Sequence, residues 1–213
     1  PLLVDSKDKK LHTTFNQTVT STGRLSSKNP NLQNIPIRKA SGKDVRKTFI
    51  ASNSQHILMA ADYSQIELRL IAHLSDESNM IQAFLKDQDI HSITASKIFN
   101  VNLKDVTSEM RSNAKTVNFG IIYGVSAFGL SEQSTLNRKE SADLISEYFI
   151  NYPKLKIYID DQINFAKNNG FVQSILGRKR YLRNINSRNS FIRSHDERNA
   201  VNMPIQGSAA DII

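Results

Sequence analysis

The chain contains no cysteine. That absence excludes a disulfide framework, a thiolate metal site and a thiol nucleophile, and it is compatible with a reducing, cytosolic setting. No apolar run approaches the ~18 residues of a membrane span, and no charged-then-apolar signal segment opens the chain. Hydrophobic residues make up 39%, slightly lean for a globular protein yet far from a disordered composition. What is present is 213 residues, enough for one large domain or two small ones around a buried core. The chain opens at Pro1 without a methionine and closes on Ala210-Asp211-Ile212-Ile213, so it is expected to be a piece of something longer.

Acidic charge is scarce: 20 Asp and Glu stand against 28 Lys and Arg, a formal net charge of +8. The excess is localised. Residues 1–48 carry ten basic and three acidic side chains, residues 177–198 seven and two, and the stretch between them is mildly acidic. Two basic flanks around an acidic middle suit a polyanion held at both ends, although basic residues also serve simply to solubilise a surface.

Residues 1–48 are rich in Thr, Ser, Asn, Gly and Pro and predict short strands and turns, with a strand over 11–19. Residues 45–51 and 56–61 predict two further strands around the turn Ser52-Asn53-Ser54. Helical periodicity follows over 65–74, 77–86, 90–99, 108–123, 138–150 and 154–168, the last closed by Asn169-Gly170. A hairpin is expected over 171–182 across Gly177-Arg178, then a helix from about 190 that Pro204 should kink or restart. A strand-rich base bearing a block of helices is an α+β architecture.

Ile57 to Ala61 is an apolar run that predicts a buried strand, with Asp62 at its carboxyl end. A carboxylate fixed at a strand end can hold a hard cation such as Mg²⁺ beside phosphates. Ser64-Gln65-Ile66-Glu67 also matches a capping box, in which Ser64 and Glu67 would satisfy helix-start amides and do no chemistry.

The most informative segment runs from Arg111 to Gly124. At about 100° per residue, Arg111, Lys115, Phe119 and Tyr123 form one oblique stripe ~18 Å long, and Met110, Ala114, Val117 and Ile121 form an apolar stripe elsewhere on the helix. Two cations one turn apart can grip successive phosphates, and two rings supply a platform for a base and sugar. An ordinary amphipathic helix with solvated cations would show the same spacing. Arg198, Asn202 and Gln206 make a second polar stripe, able to donate to minor-groove acceptors common to all base pairs. His195-Asp196-Glu197 imitates an acid–base or metal cluster, but Ser194 with Glu197 fits a capping box, and a structural role is expected.

Together these segments resemble family A DNA polymerases, the bacterial polymerase I type. Residues 20–27 and 30–38 are similar to the palm segment that touches primer–template, residues 62–69 to the first catalytic motif, residues 111–124 to the nucleotide-binding helix of the fingers, and residues 202–211 to the helix that follows. The resemblance covers essentially the whole chain. It implies an α+β right-hand polymerase fold, incomplete here: a strand-rich palm portion over 1–75, a mostly helical fingers portion over 76–185, and a return helix towards the palm over 186–213.

The resemblance also implies roles. Asp62 would bind two Mg²⁺ ions, one activating the primer 3′-hydroxyl and one holding the triphosphate. Arg111, Lys115 and His91 would hold phosphates, with Lys115 a proton donor to departing pyrophosphate. Gln65 joins the dNTP-binding set. Glu67 would be the steric gate against a ribose 2′-hydroxyl, supported by Tyr123, and Phe119 implies discrimination against dideoxynucleotides. Thr22, Arg24, Asn31, Gln33, Asn34, Arg38, Arg198, Asn202 and Gln206 would contact DNA. One departure is serious: the family's second catalytic carboxylate sits in a His-Asp-Glu after the Gln-Gly-Ser-Ala-Ala-Asp segment, whereas His195-Asp196-Glu197 precedes it. The second metal-binding Asp is therefore expected to be missing, and the fragment to be inactive alone. The implied activity is template-directed nucleotidyl transfer from dNTP to a primer, by a monomeric, nucleoid-associated cytoplasmic enzyme with primer–template DNA and dNTPs as partners and no membrane. A noncatalytic nucleic-acid-binding module and a single-subunit RNA polymerase are the alternatives.

Overall fold

The computed structural model describes residues 3–36, 40–134 and 136–213. They fall into two compact units, Pro1–Ser64 and Gln65–Ile213. Together they give an α+β architecture with small sheets and many helices.

In the first unit, β1 (Thr14–Asn16) pairs antiparallel with β2 (Ser26–Lys28), with Phe15 opposite Ser27. The expected strand over 11–19 is thus reduced to its centre. Ser27 is buried; its hydroxyl lies 2.6 Å from that of Thr13 and accepts from the Leu32 amide at 3.0 Å. This pins the short 3₁₀ turn Leu32–Asn34, which Asn31 caps by accepting from the Gln33 amide at 2.9 Å.

The two strands expected at 45–51 and 56–61 do not form. Residues 45–47 are the last turn of α1 (Ala40–Lys47), where Lys47 Nζ reaches the Asp44 carboxylate three residues back at 2.9 Å. Residues 56–61 carry no regular structure, and Ile57 and Met59 are 87% and 84% exposed. An apolar run becomes a strand only when a neighbour takes its backbone hydrogen bonds. No described strand pairs with these residues.

In the second unit, helices follow the predicted periodicity: α2 (Ile66–Leu74), α3 (Ser78–Leu85), α4 (Ile90–Phe99), α5 (Ser108–Ile122), α7 (Arg138–Asn151), α8 (Pro153–Asn169) and α9 (Ser190–Ile212). A short α6 (Ala127–Gln133), which the sequence reading did not anticipate, starts where Ser126 accepts from the Gly129 amide. Local chemistry sets most ends. Asn137 and Glu140 make a reciprocal capping box on α7, Pro153 opens α8, and Gly170 closes it with φ +74°. The hairpin of β3 (Phe171–Gln173) and β4 (Lys179–Tyr181) forms as predicted, each strand ending earlier than expected, with Gly177 at φ +83° in its turn.

Two capping boxes inferred from sequence are absent. The N-cap of α2 is Gln65, in the left-handed region at φ +54° and without a side-chain cap, so Ser64 does not start that helix. The cap of α9 is Asn189, which accepts from the Phe191 and Ile192 amides. Ser194 therefore lies inside α9 and donates to Phe191 O, while Glu197 meets Lys167 and Arg193. Nor does Pro204 restart α9, which continues through it as one helix.

The core of this unit is built from Leu68 and Ile71 of α2, Met80 of α3, Ile90 of α4, Val117 and Ile121 of α5, Leu130 of α6, Leu155 of α8 and Ile205 of α9. Burying each such side chain stabilises the fold by roughly 1.5–3 kcal/mol. A smaller cluster of Ala166, Val172, Leu182, Ile185, Ala200 and Met203 fastens the hairpin between α8 and α9. Among the described residues no helix is long and apolar enough to cross a membrane.

Candidate nucleotide-binding site

α5 begins where Thr107 accepts from the Met110 amide at 3.2 Å, with Glu109 in its first turn. It ends at Tyr123, and the next residue, Gly124, turns the chain at φ +76°. Ala114, Val117, Asn118, Ile121 and Ile122 are buried against the core, which leaves Lys115 exposed and Arg111, Phe119 and Tyr123 half-buried on the other face. The stripe predicted from spacing is therefore a real surface of the helix.

Neighbouring helices extend it. Phe119 and Tyr123 stack with ring centroids 5.9 Å apart and planes 25° apart, and Lys115 Nζ lies 5.9 Å from the Phe119 centroid. His91, from the first turn of α4, packs 5.7 Å from Phe119. The Tyr123 hydroxyl donates to Glu67 in the first turn of α2. Glu67, His91, Arg111, Lys115, Phe119 and Tyr123 are thus linked into one array drawn from three helices.

Charge in the array is partly compensated. Asp89 caps α4 by accepting from the His91 amide at 3.2 Å and from Ser92 Oγ at 2.7 Å, and it also accepts from Arg111 Nε at 2.5 Å. Burial alone would raise the Asp89 pKa, but hydrogen bonds from Arg111 and Ser92 hold it below the ordinary aspartate value. His91 is 2% exposed. Burial pushes its pKa down to about 4, with Asp89 opposing and Arg111 and Lys115 assisting.

At the far end of the stripe, a Cβ on Gly124 would come 3.8 Å from Arg198 Cγ, so α9 reaches the terminus of α5. Arg198, Asn202 and Gln206 occupy the less buried positions of a helix whose residues 200, 201, 203–205 and 207–209 are buried. Two polar atoms here are buried without a partner, Gln65 Oε1 and Asn202 Oδ1.

A family model described as DNA polymerase family A matches residues 1–213. The chain belongs to that family. It is 53% identical over 204 residues to the DNA polymerase I of Caldicellulosiruptor bescii, covering 96% of this chain and 24% of that protein. To the DNA polymerase I of Geobacillus stearothermophilus it is 52% identical, again over 96% of this chain and 23% of the relative. Among solved structures, the POL domain of Pol1 from M. smegmatis in complex with DNA primer-template and dNTP matches with a TM-score of 0.88 and 43% identity, over 99% of this chain and 37% of that one. The chain therefore spans about a quarter of the length of its polymerase I relatives.

The remaining candidates of this family A chain lie in the first unit. Asn31 caps the 3₁₀ turn, Gln33 Nε2 donates to Leu25 O at 3.2 Å, and Thr20 donates to the Arg24 carbonyl, while Thr22 is half-buried and Asn34 exposed. Arg38 lies outside the described residues. Asp62 is exposed, in a segment without regular structure rather than at the end of a buried strand.

No three His, Asp or Glu residues among those described converge on a point where a cation could sit. Glu67 is engaged by Tyr123 and Asp89 by Arg111. Asp196 of the His-Asp-Glu triplet is buried and accepts from the Asn184 amide at 2.8 Å. An exposed carboxylate such as Asp62 fits a hard divalent ion as one ligand of several, the rest coming from elsewhere.

Three residues that support the array escaped the sequence reading: Asp89 as the partner of Arg111, Asn118 as the partner of His91, and Thr94, which bonds to Asn118. Asn118 did carry a signal. It falls on the buried face of α5, where a lone amide must find partners.

Proposed function

We propose that this chain is the nucleotide-handling part of a template-directed DNA polymerase, transferring a nucleotidyl group from dNTP to a primer 3′-hydroxyl in the protein to which the segment belongs. The observation that carries the reading is the continuous array from Arg111 through Lys115, Phe119 and Tyr123 to Glu67. The named relatives, and a solved relative holding primer-template and dNTP, support it.

In this reading Arg111 and Lys115 bind the triphosphate as charge-assisted donors, with His91 beside them. Lys115, exposed and cationic, delivers a proton to the departing pyrophosphate oxygen. Phe119 offers its ring to the base and sugar. Glu67, held by Tyr123, closes the space beside C2′, so a 2′-hydroxyl meets an occupied carboxylate. Gln65 completes the nucleotide site. Thr22, Arg24, Asn31, Gln33, Asn34, Arg38, Arg198, Asn202 and Gln206 hold the primer–template. Residues 1–75 serve as palm, 76–185 as fingers and 186–213 as the helix returning towards the palm. The enzyme works as a monomer in the bacterial cytoplasm, at the nucleoid.

Asp62 is the residue that would hold Mg²⁺, with further ligands from the substrate and from carboxylates beyond these 213 residues. When bound, such ions acidify the primer hydroxyl and neutralise developing phosphate charge.

Primer extension tests the proposal. In the polymerase carrying this segment, Asp62→Ala should abolish extension and Lys115→Ala should reduce it by at least 10²-fold. The 213-residue chain alone should extend negligibly. Salt-dependent DNA binding without divalent-dependent dNTP binding in the whole protein would replace catalysis by a docking role.

A further inference from the structure

One polar residue of α5 is left unexplained by the phosphate-binding stripe. Asn118 is fully buried, on the face that otherwise carries Ala114, Val117 and Ile121. Its amide is spent at both ends on α4. Nδ2 lies 3.0 Å from His91 Nδ1, and Oδ1 lies 2.9 Å from Thr94 Oγ1. Thr94 is itself buried and also reaches Ile90 O at 3.0 Å, so the chain of bonds is anchored in the backbone of α4.

The chemistry of this contact is directional. An amide nitrogen only donates, so the ring nitrogen facing it must accept. In the tautomer that leaves Nδ1 bare to accept from this amide, the single proton sits on Nε2, the form that can donate to a phosphate oxygen. A neutral ring agrees with the burial of His91, which disfavours the imidazolium. Phe119, the next residue of α5, packs against the ring 5.7 Å away and limits its rotation on one side. Asn118 supplies a side-chain hydrogen bond to the ring itself.

We infer that Asn118 is a positioning residue which fixes the plane and the Nε2–H tautomer of His91, so that His91 presents one neutral N–H donor to the triphosphate beside Arg111 and Lys115. The inference rests on the proposed polymerase reading, in which His91 touches the nucleotide. Without the amide, the ring samples both tautomers and turns a lone pair towards phosphate for part of the time. Loss of one well-placed hydrogen bond of this kind corresponds to about fivefold in dNTP affinity.

The test is a double-mutant cycle in the polymerase carrying this segment, read as KM for dNTP and kcat separately. Asn118→Leu should raise KM about fivefold with kcat within about twofold, and in the H91A background it should add nothing. Asn118→Ala removes the amide without burying a new charge or adding bulk; it guards against a steric effect of leucine and should also raise KM only when His91 is present. Equal KM increases with and without His91 would overturn the inference, since a packing defect alone behaves that way. A folded Asn118→Leu enzyme with unchanged KM would overturn it too. If H91A by itself leaves dNTP KM unchanged, the nucleotide-site reading of His91 fails and this inference falls with it.

Discussion

Tyr123 donates its hydroxyl hydrogen to the carboxylate of Glu67, joining the last residue of the α5 stripe to the first turn of α2 across 56 residues of sequence. The bond holds the carboxylate on the aromatic side of the array, next to the ring stacked on Phe119. The local sequence pattern suggests a capping box begun at Ser64, whereas the helix starts at Gln65.

Selection against ribonucleotides should depend on this pair. Glu67→Ala should raise ribonucleotide incorporation by at least tenfold relative to dNTP. Tyr123→Phe, which keeps the ring and removes its hydrogen bond to the carboxylate, should raise it a few-fold, the loss of one hydrogen bond of about 1 kcal/mol. Single-nucleotide extension with matched rNTP and dNTP is the measurement. A single-subunit RNA polymerase would show no such preference to lose.

Asp89 competes with phosphate for Arg111. Asn is as good an N-cap as Asp, so Asp89→Asn should preserve α4 while releasing the guanidinium. The dNTP KM should fall about two- to threefold, with more gain at low ionic strength, where surface charge is screened less. Asp89→Ala should in addition destabilise the protein by about 1 kcal/mol through the lost cap, measured by urea unfolding.

Stability should depend on pH through His91. Its pKa is lowered in the folded state from 6.5 to about 4, so the stabilising neutral form is fully present above about 6.5 and is lost as the pH falls towards 4. Asp89, Arg111 and Lys115 face the ring, and the lowered pKa of Asp89 lies below that window. Melting curves of the parent and of His91→Gln should therefore diverge near neutral pH and converge on acidification.

Glu77 is buried, and one carboxylate serves two helix starts. It accepts from the Asn79 amide of α3 at 3.1 Å and from the Lys154 amide of α8 at 2.9 Å. Glu77→Ala should destabilise by about 2–3 kcal/mol, roughly two caps, and Glu77→Gln by less, because one oxygen still accepts. Chemical denaturation measures both, and dNTP KM should stay unchanged.

What could be read from the amino acids was whatever depends on neighbours a few positions away. The stripe Arg111, Lys115, Phe119 and Tyr123 needs only helical spacing, and so does the less buried row of α9, while the C-cap at Gly170 and the hairpin turn at Gly177 need only local turn chemistry. The order of those motifs along the chain carried the family. Residues 45–51 and 56–61 misled because β-propensity is a promise of pairing, and pairing is a long-range event. The boxes at Ser64 and Ser194 misled because the side chains that engage Glu67 and Glu197, Tyr123 and Lys167, come from distant helices.

Helical phase and turn chemistry, being set by contacts within about one turn of chain, were determined by the sequence alone. Tertiary structure alone decided which groups meet across helices: Asp89 with Arg111, Asn118 with His91, Tyr123 with Glu67. Each pair spans 22 to 56 residues, and only packing brings such groups within hydrogen-bond range. That packing is driven by burial of apolar area, which is non-directional and leaves no local mark of which polar partners it will bring together.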